Sequence, residues 1–584
     1  MKFHPFPFIL PALLLLLPPL AAQAAPYASA VVESAGTVSF ILNESADSVK
    51  IVFNDPLPAL ELGTLSAGAH NFPKGTATSY QIQVEKNAGP GWKSGVLQQI
   101  SDDTGELVKF ANGLGVAVNK KPDTGKFFGR VYVSSSQNGT AAPVTSPVSP
   151  SRATSEGIYV LNANLSATDL GTGALLGGLT FSNPATGTDG ASPFRLTVGD
   201  KGDLFICDWS DATGSVYKTD GNVANGKNVL GGPAGAPNPP LAEDRLHGSI
   251  SGMVTSGSEQ GGDLRLWVID EDLQDDKTTA GLTTVNSIWA WDMGGASLPM
   301  VNPPFRFNTS TANVGINFAG QVADLAQARD GTFYKTQRRS AGNESGVFSL
   351  DADGNSLNTI PPPANPDEDP GVTAYGSRGA FQFYSGVSTV VDPFLETRGC
   401  DVSDDGWLAL IRNDNALHFV KVAAGVFDWS SHILLYPKPT TVIGRDVAFD
   451  AAGNLYTISS GQALLRVFAP GGHTRATTSS NGTFAITEVT PSAPAPVMEL
   501  QPVVTSITQT GADYTLNVFS RLGLASTLGV QSSPDLGNEA AWTNLTLTPA
   551  PAQYTITGDP PNFTVKIIGA ARSEEKYFYR VRRF

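Results

Sequence analysis

The middle of this 584-residue chain repeats one short pattern, and that repeat constrains the fold more than any other feature. Each copy consists of an apolar run, a turn that contains Gly and usually Asp, and a second apolar or aromatic run. Two such runs joined by a turn of this kind are typical of a β-hairpin. The pattern recurs along residues 98–487 around the turn glycines Gly125, Gly202, Gly262, Gly331, Gly406 and Gly453.

A further strand is readable after every hairpin, and Gly or Asn follows nearly every one. These third strands are 157–165, 214–222, 287–295, 346–355, 417–425 and 464–472. Three strands per repeat, with room for a fourth, describe one blade of a β-propeller. We therefore predict an all-β protein with a six-bladed propeller over 98–487. Because closure of the ring removes free sheet edges, we expect "GELVKFA" (105–111) to lie beside the last blade.

The last repeat carries a resemblance to a known type of repeat. Its hairpin "RDVAFDAAGNLYTISS" (445–460), followed by "LLRVFAPGG" (464–472), resembles the NHL-type repeat. The resemblance implies a propeller fold and does not point to one enzyme.

Two smaller β units flank the propeller. Residues 25–97 alternate with period 2 between turn residues, which predicts a small β-sandwich. Within them "LELGTLSAGAHNF" (60–72) resembles a hairpin of Ig-like modules related to flagellar hook-capping proteins. A Pro-rich linker (488–503) precedes a second predicted sandwich (504–584). Its "SSPDL…WTNL…YFYRVR" pattern resembles an accessory module of exported verrucomicrobial proteins.

The N-terminus reads as a secretory signal peptide over residues 1–24. Lys2 precedes an apolar run, and Ala22 and Ala24 provide the small-x-small cleavage pattern. The alternative, a retained membrane anchor, is weakened by prolines and by a run too short to span a bilayer. We expect a monomeric mature protein without a transmembrane segment, located in the secreted, periplasmic or cell-surface compartment.

Charge and cysteine content exclude several classes of protein. The net charge is −15 and most of the acidic excess falls in the middle region, which argues against nucleic-acid partners. Extracellular glycans, peptides or proteins remain as ligands. Cys207 and Cys400 are too few for a disulfide framework or a structural zinc site, and we expect two separate buried thiols, with one disulfide between them as the alternative.

The first candidate site is the mouth of the propeller channel. Arg195, Asp324 and Asp446 stand seven residues before their turn glycines, and Arg398 and Arg445 stand one step earlier in their blades. Mixed carboxylates and guanidiniums could bind a sugar acid or polarise a carbonyl. The alternative is that these groups pair with one another and hold the ring together.

A second candidate is a calcium site. Asp270, Glu271 and Asp272 open an acidic segment that could meet "DEDP" (367–370), and crowded carboxylate oxygens suit Ca²⁺. The alternative is a solvated acidic loop. Among the histidines only His247 stands where a channel base could act, and a structural role is its alternative. The tryptophans are expected to pack between blades rather than to stack on sugars.

The chain carries none of the linear motifs of serine hydrolases, zinc proteases, ATPases or nicotinamide enzymes. We therefore favour a binding or surface-interaction role on the face where the inner strands begin, because the longest loops fall there. No cofactor is required by this interpretation. The alternative is a metal-assisted lyase or lactonase-type hydrolase that uses Ca²⁺ with Asp324, Asp446 and His247. A passive structural envelope protein is a third alternative.

Overall fold

The computed structural model describes most of the chain from residue 26 onward. The described residues are 26–54, 56–88, 98–136, 143–181, 192–209, 215–230, 250–274, 284–294, 321–338, 346–354, 357, 397–412, 416–435, 443–460, 464–470, 472–489, 503–510, 513–519, 528–533, 543–544, 554–559, 562–567 and 578–583. They fall into two compact units, residues 1–488 and 489–584.

The first unit begins with the strands of a two-sheet sandwich. These strands are β1 (Ala28–Ser34), β2 (Thr37–Leu42), β3 (Ala46–Phe53), β4 (Leu60–Leu65), β5 (Gly68–Pro73) and β6 (Tyr80–Ala88). One sheet has the order β1-β2-β5, and β3 lies between β4 and β6 in the other. Period-2 alternation buries one face of each sheet, so that Val38 and Phe40 pack against Val49 and Ile82.

Six antiparallel sheets follow among the described residues, each a meander that starts at its first strand. The first two contain β7 (Gly113–Val118), β8 (Val131–Ser135), the minor hairpin β9 (Val144–Thr145) and β10 (Ala153–Thr154), β11 (Gly157–Leu161), β12 (Leu196–Val198), β13 (Leu204–Asp208), β14 (Ser215–Thr219) and β15 (Lys227–Asn228). A 3-10 helix (Pro122–Phe127) occupies the turn between β7 and β8.

The other four sheets repeat the same order of strands. They contain β16 (Ile250–Ser256), β17 (Leu264–Gln274), β18 (Thr284–Gly294), β19 (Gln321–Gln327), β20 (Phe333–Arg338), β21 (Gly346–Leu350), β22 (Thr397–Val402), β23 (Trp407–Arg412), β24 (Leu417–Ala423), β25 (Val426–Leu435), β26 (Ile443–Phe449), β27 (Leu455–Ser460) and β28 (Leu464–Phe468). All six predicted third strands are confirmed, as β11, β14, β18, β21, β24 and β28.

Apolar clusters between neighbouring sheets close these sheets into a β-propeller. One cluster joins the first sheet to the second, and the series continues until Tyr456 and Ile458 of the sixth sheet pack on Val131 and Tyr159 of the first. Strands between two such clusters are buried on both faces, which is why β13 and β23 read as nearly continuous apolar runs. The predicted packing of the tryptophans is confirmed at Trp267, Trp289, Trp291 and Trp407.

The segment before β7 pairs with the last sheet and closes the ring. The Leu465 N–H donates to the Val108 carbonyl at 2.9 Å, and the Ile100 N–H donates to the Val467 carbonyl at 2.9 Å. The Arg466 guanidinium also pairs with Asp103 at 3.0 Å. The position predicted for 105–111 is thereby confirmed. Cys207 and Cys400 are separate buried thiols, as expected.

After the ring the chain returns to the N-terminal sandwich. Strands β29 (Gly472–Ser479) and β30 (Phe484–Glu488) extend its second sheet in the order β30-β29-β6-β3-β4. The sequence interpretation placed 472–487 in the propeller, whereas the structure pairs β29 with β6 and β30 with β29. Tyr27, Phe128 and Phe484 then meet with ring centroids 5.4–5.6 Å apart and join the sandwich to the propeller.

The second unit contains two sheets of its own. Its strands are β31 (Val503–Thr510), β32 (Asp513–Phe519), β33 (Leu528–Ser533), β34 (Thr543–Asn544), β35 (Tyr554–Asp559), β36 (Asn562–Ile567) and β37 (Phe578–Arg583). Leu516, Val565 and Ile567 of one sheet share a core with Val530 of the other. Helical structure in the described part of the chain is short, and none of it has the length and hydropathy of a transmembrane helix.

Because β29 and β30 complete the second sheet of the N-terminal sandwich, we predict that the thermal stability of the sandwich requires them. A chain that ends at Pro470 leaves the edge of β6 unpaired and removes Phe484 from the aromatic junction. We expect its thermal midpoint to lie at least about 5 °C below that of a chain ending at Glu488, since a few kcal/mol shift the midpoint by several degrees. Differential scanning calorimetry of the two chains measures the difference, and equal midpoints would contradict the prediction.

Candidate functional site

The first strands of the sheets share one irregularity at the same level. A register shift interrupts the pairing of β7, β16, β19, β22 and β26 with the second strand of each sheet. A bulge of this kind inserts one unpaired residue and redirects the side chain that follows. In the second sheet the equivalent residue is Arg195, which directly precedes β12. The Cys207 N–H on β13 donates to the Arg195 carbonyl, which fixes Arg195 at the same level.

The residues directly after these shifts alternate between glycine and a charged residue around the ring. In blade order they are Gly115, Arg195, Gly252, Asp324, Gly399 and Asp446. The glycines provide space for the charged residue of a neighbouring blade. A Cβ atom on Gly399 would lie 2.7 Å from the Cα atom of Asp446, and one on Gly252 would lie 3.2 Å from the Cα atom of Asp324. The three charged side chains can therefore meet at the axis.

Arg195 is the centre of this group. Its Nη1 atom lies 2.7 Å from Oδ1 of Asp446, and both side chains are almost fully buried. Its Nη2 donates to the carbonyl of Arg398 at 2.9 Å, and Nη1 also approaches the carbonyl of Leu114 at 3.3 Å. One guanidinium thus bonds to the first strands of the first, fifth and sixth sheets.

The two carboxylates accept hydrogen bonds from backbone N–H groups across blade boundaries. Asp446 accepts from Val116 of the first sheet at 2.9 Å, and Asp324 accepts from Cys400 of the fifth sheet at 2.9 Å. Each also accepts from the N–H of the residue that follows it, at 2.9 Å. The donors Val116 and Cys400 directly follow glycines of the alternating ring.

Burial dominates the electrostatics of the group. It raises the pKa of the Asp324 carboxyl well above its ordinary value, opposed by Arg195 and supported by the charge of Asp446. It also raises the pKa of Asp446, although Arg195 opposes this. Burial alone would lower the pKa of the Arg195 guanidinium, but Asp446 and then Asp324 outweigh it and raise that pKa.

A cavity of about 410 Å³ extends from this group along the axis. Residues of all six first strands line it, from the charged group toward the hairpin turns that follow those strands. Its described part therefore lies on the side of the turns, whereas the sequence interpretation expected a mouth where the first strands begin. Of the loops expected on that other face (137–156, 223–247, 271–285, 296–319 and 356–397), the first is described from residue 143 onward and contains the hairpin β9–β10. The other four lie largely outside the described residues.

Charged side chains surround the outer part of this cavity. Lys120 pairs with Asp401 at 2.8 Å, and Lys121 pairs with Asp200 at 2.5 Å. Burial would lower the pKa of Lys120, but Asp401 and Asp404 outweigh it and raise that pKa. Asp404 and Arg329 also line the cavity and are exposed.

The remaining predicted residues are placed apart from this group or fall outside the described residues. Arg445 donates from Nε to the Ser460 hydroxyl at 2.7 Å, and Arg398 contributes its carbonyl. Asp270, Glu271 and Asp272 belong to the backbone of β17, so the hairpin β17–β18 is longer than the loop interpretation allowed. His247, residues 367–370, Ala22 and Ala24 lie outside the described residues.

In the part of the chain that the structure describes, no group of three His, Cys, Asp or Glu side chains is placed to hold a metal ion. The sequence interpretation had named Arg195, Asp324 and Asp446 but had missed the glycines between them. The signal was the glycine at the same step of the first strand in the intervening repeats, as in "LGVAV", "GMVT" and "GCDV".

Comparison with known proteins gives only distant likenesses. A scan against protein-family models gives no match, and no curated protein matches the chain. The chain is similar to a solved structure of unknown function from Bacteroides thetaiotaomicron, with 13% identity and a TM-score of 0.35, over 76% of this chain and 98% of that one.

Two further solved structures share this level of similarity. One is the WD40 β-propeller domain of Doa1, with 12% identity and a TM-score of 0.33 over 64% of this chain and 97% of that one. The other is described as a gluconolactonase, with 11% identity and a TM-score of 0.34 over 66% of this chain and 99% of that one. None of these likenesses assigns an activity to this chain.

The close packing at the glycines of the alternating ring predicts that one added methyl group there destabilises the protein. Gly399→Ala places a Cβ atom against the Asp446 backbone, and overpacking of this kind costs about 1–3 kcal/mol. Gly173→Ala is the matched control, because nothing lies within 4 Å of the position of its Cβ atom. Urea unfolding of both variants measures the difference, and an equally mild effect in both would show that the close approach does not constrain the ring.

The raised pKa of Asp324 predicts that the free energy of unfolding depends on pH. Its folded-state pKa is raised, so the folded protein takes up a proton at a higher pH than the unfolded chain, whose Asp pKa is about 3.9. The contribution of this group to the free energy of unfolding is therefore greatest at low pH and declines as the pH rises through the folded-state pKa. Arg195, Asp446 and the Cys400 thiol face the same carboxyl, and of these only Asp446, whose pKa is also raised by burial, titrates together with it.

Urea unfolding of the native protein and of Asp324→Asn between pH 4 and pH 8 measures this effect. We expect the stability difference to move in favour of the variant as the pH rises, by about 1.4 kcal/mol for each unit by which the folded-state pKa is raised. A difference that stays constant over this range would contradict the raised pKa.

Proposed function

We propose that this chain is a non-catalytic binding protein that acts outside the cytoplasm. The N-terminal segment exports it, and the propeller captures an extracellular glycan, peptide or protein ligand. The observation that supports the proposal is the polar axial cavity of about 410 Å³. Its size falls within the range of about 300–1,000 Å³ that is usual for ligand sites.

The walls of this cavity are suited to binding without rearrangement. Arg195 and Asp446 bond to strands of other sheets, and the closure segment pairs with β28, so the ring holds its shape without a ligand. A site on such a scaffold loses little conformational freedom when it is filled. Because the first strands are edges of their sheets, they also present backbone N–H and C=O groups toward the axis.

The same contacts argue against the hydrolase or lyase alternative. Each oxygen of Asp324 and Asp446 already accepts a backbone N–H, and Oδ1 of Asp446 also bonds to Arg195. A Ca²⁺ ion that bridged these carboxylates would stand close to the Arg195 guanidinium, which repels it. Ca²⁺ prefers six to eight oxygen ligands and is poorly served there.

The expected ligand is not a polyanion. The net charge of −15 opposes nucleic acids and acidic polysaccharides, whereas neutral glycans and basic peptides meet no such barrier.

Arrays of neutral oligosaccharides and of short peptides, followed by calorimetric titration, test the proposal. We expect at least one member to bind, and the paired change Arg329→Ala with Asp404→Ala to weaken binding about tenfold because both side chains line the cavity. Lys50→Ala, in an exposed ion pair on β3, is the control and should bind normally.

Two results would contradict this function. One is the absence of binding to every member of both arrays. The other is EDTA-sensitive hydrolysis or elimination of an array member, together with a rise of the thermal midpoint in millimolar Ca²⁺.

A further inference from the structure

The charges at the base of the axial cavity do not balance. Arg195 supplies one positive charge, whereas Asp324 and Asp446 supply two negative charges, and all three side chains are at least nine-tenths buried. A buried charge without a counter-charge is costly, because the protein interior replaces little of the hydration that is lost. With both carboxyls ionised, the base of the cavity therefore lacks one positive charge, and burial without that charge raises the pKa of Asp324.

Asp324 is the carboxylate without a direct ion pair, since Arg195 acts on it only through a longer-range charge interaction. Asp446 forms the ion pair with Arg195 at 2.7 Å. Among the residues that the structure describes, Asp324 has no ion-pair partner, and its hydrogen bonds come only from the backbone N–H groups of Leu325 and Cys400. Asp324 also lines the cavity. A ligand that reaches the base of the cavity can thus approach this carboxylate.

We propose that the axial cavity binds a primary ammonium group, which supplies the missing positive charge beside Asp324. This inference rests on the proposed binding function and names the chemistry of its ligand. The ammonium group donates a charge-assisted hydrogen bond to the Asp324 carboxylate. Its other two N–H groups meet carbonyl oxygens of the first strands, whose axial edges have no strand partner.

A monovalent organic cation fits this base better than a metal ion does. A divalent ion would overcompensate a deficit of one charge and would stand close to the Arg195 guanidinium. Within the described ranges no group of three metal-ligating side chains is placed to hold a metal ion. An ammonium group needs only three acceptors, and its alkyl stem can lie along the cavity walls that the six first strands form.

The depth and charge of the cavity favour an ammonium group at the end of an extended stem, as in a lysine side chain. About 410 Å³ accommodates such a side chain together with part of the peptide that carries it. Asp404 lines the outer part of the same cavity and adds a negative charge along the entry route.

Calorimetric titration of the full chain with four probes tests the inference. The probes are n-butylamine, the acetylated and amidated peptide Gly-Lys-Gly, its counterpart with norleucine in place of lysine, and CaCl₂. We expect the lysine peptide to bind at least tenfold more tightly than the norleucine peptide, and n-butylamine to compete with it. This comparison changes only the ligand, so it does not depend on the folding of any variant.

Variants locate the bound ammonium group. Asp324→Asn should reduce the affinity for the lysine peptide at least tenfold. Asp292→Asn removes an exposed carboxylate on β18, outside the cavity lining, and should leave the affinity unchanged. If Asp324→Asn does not fold, Asp404→Asn is the second variant and should lower the affinity two- to threefold.

Several outcomes would overturn the inference. They are equal affinities for the lysine and norleucine peptides, no competition by n-butylamine, an affinity unaffected by either cavity variant, or saturable binding of Ca²⁺ that displaces the amine. If neutral oligosaccharides bind while the amines do not, this inference fails and the proposed binding function stands. If no probe of any class binds, both fail.

Discussion

The contact between Arg195 and Asp446 is the interaction on which the rest of the propeller depends. It lies where the first strands converge, and the same guanidinium bonds to carbonyls on two more of these strands. A propeller has no strand that runs through its centre, so something else must fill the axis. Here buried charges do so, and glycines at the intervening positions allow them to approach. The apolar clusters hold neighbouring blades together, whereas this group connects blades that are not neighbours.

Most of the fold was predictable because the sequence of each hairpin is sufficient to identify its two strands and its turn. The turn glycine and the runs on both sides of it define β26 and β27, for example, without reference to the rest of the chain. The path of the chain between sheets is different. Residues 472–488 alternate as any strand pair does, and period 2 says nothing about which sheet receives them. Their place beside β6 depends on the aromatic junction of Tyr27, Phe128 and Phe484, which no local pattern records.

The candidate site was predictable in position but not in arrangement. A constant step of seven residues to the turn glycine places Arg195, Asp324 and Asp446 at one level, because equal lengths of strand start from equivalent turns. The step does not reveal which backbone groups their oxygens accept, or that Gly399 makes room for one of them. It also leaves open which end of the axis is accessible, since this depends on how far each side chain reaches across the ring.

The uneven charge of the central group connects its structural and its binding roles. If stability alone determined these positions, one carboxylate beside one guanidinium would suffice, and an amide or an apolar side chain in place of Asp324 would avoid a desolvation penalty. The extra carboxylate is held in place by two backbone N–H groups and faces a cavity. Burial disfavours the charged form of this carboxyl, which a proton or a bound cation can compensate. In the proposed complex the Arg195–Asp446 pair is the rigid base, and Asp324 is the charge that the ammonium group meets.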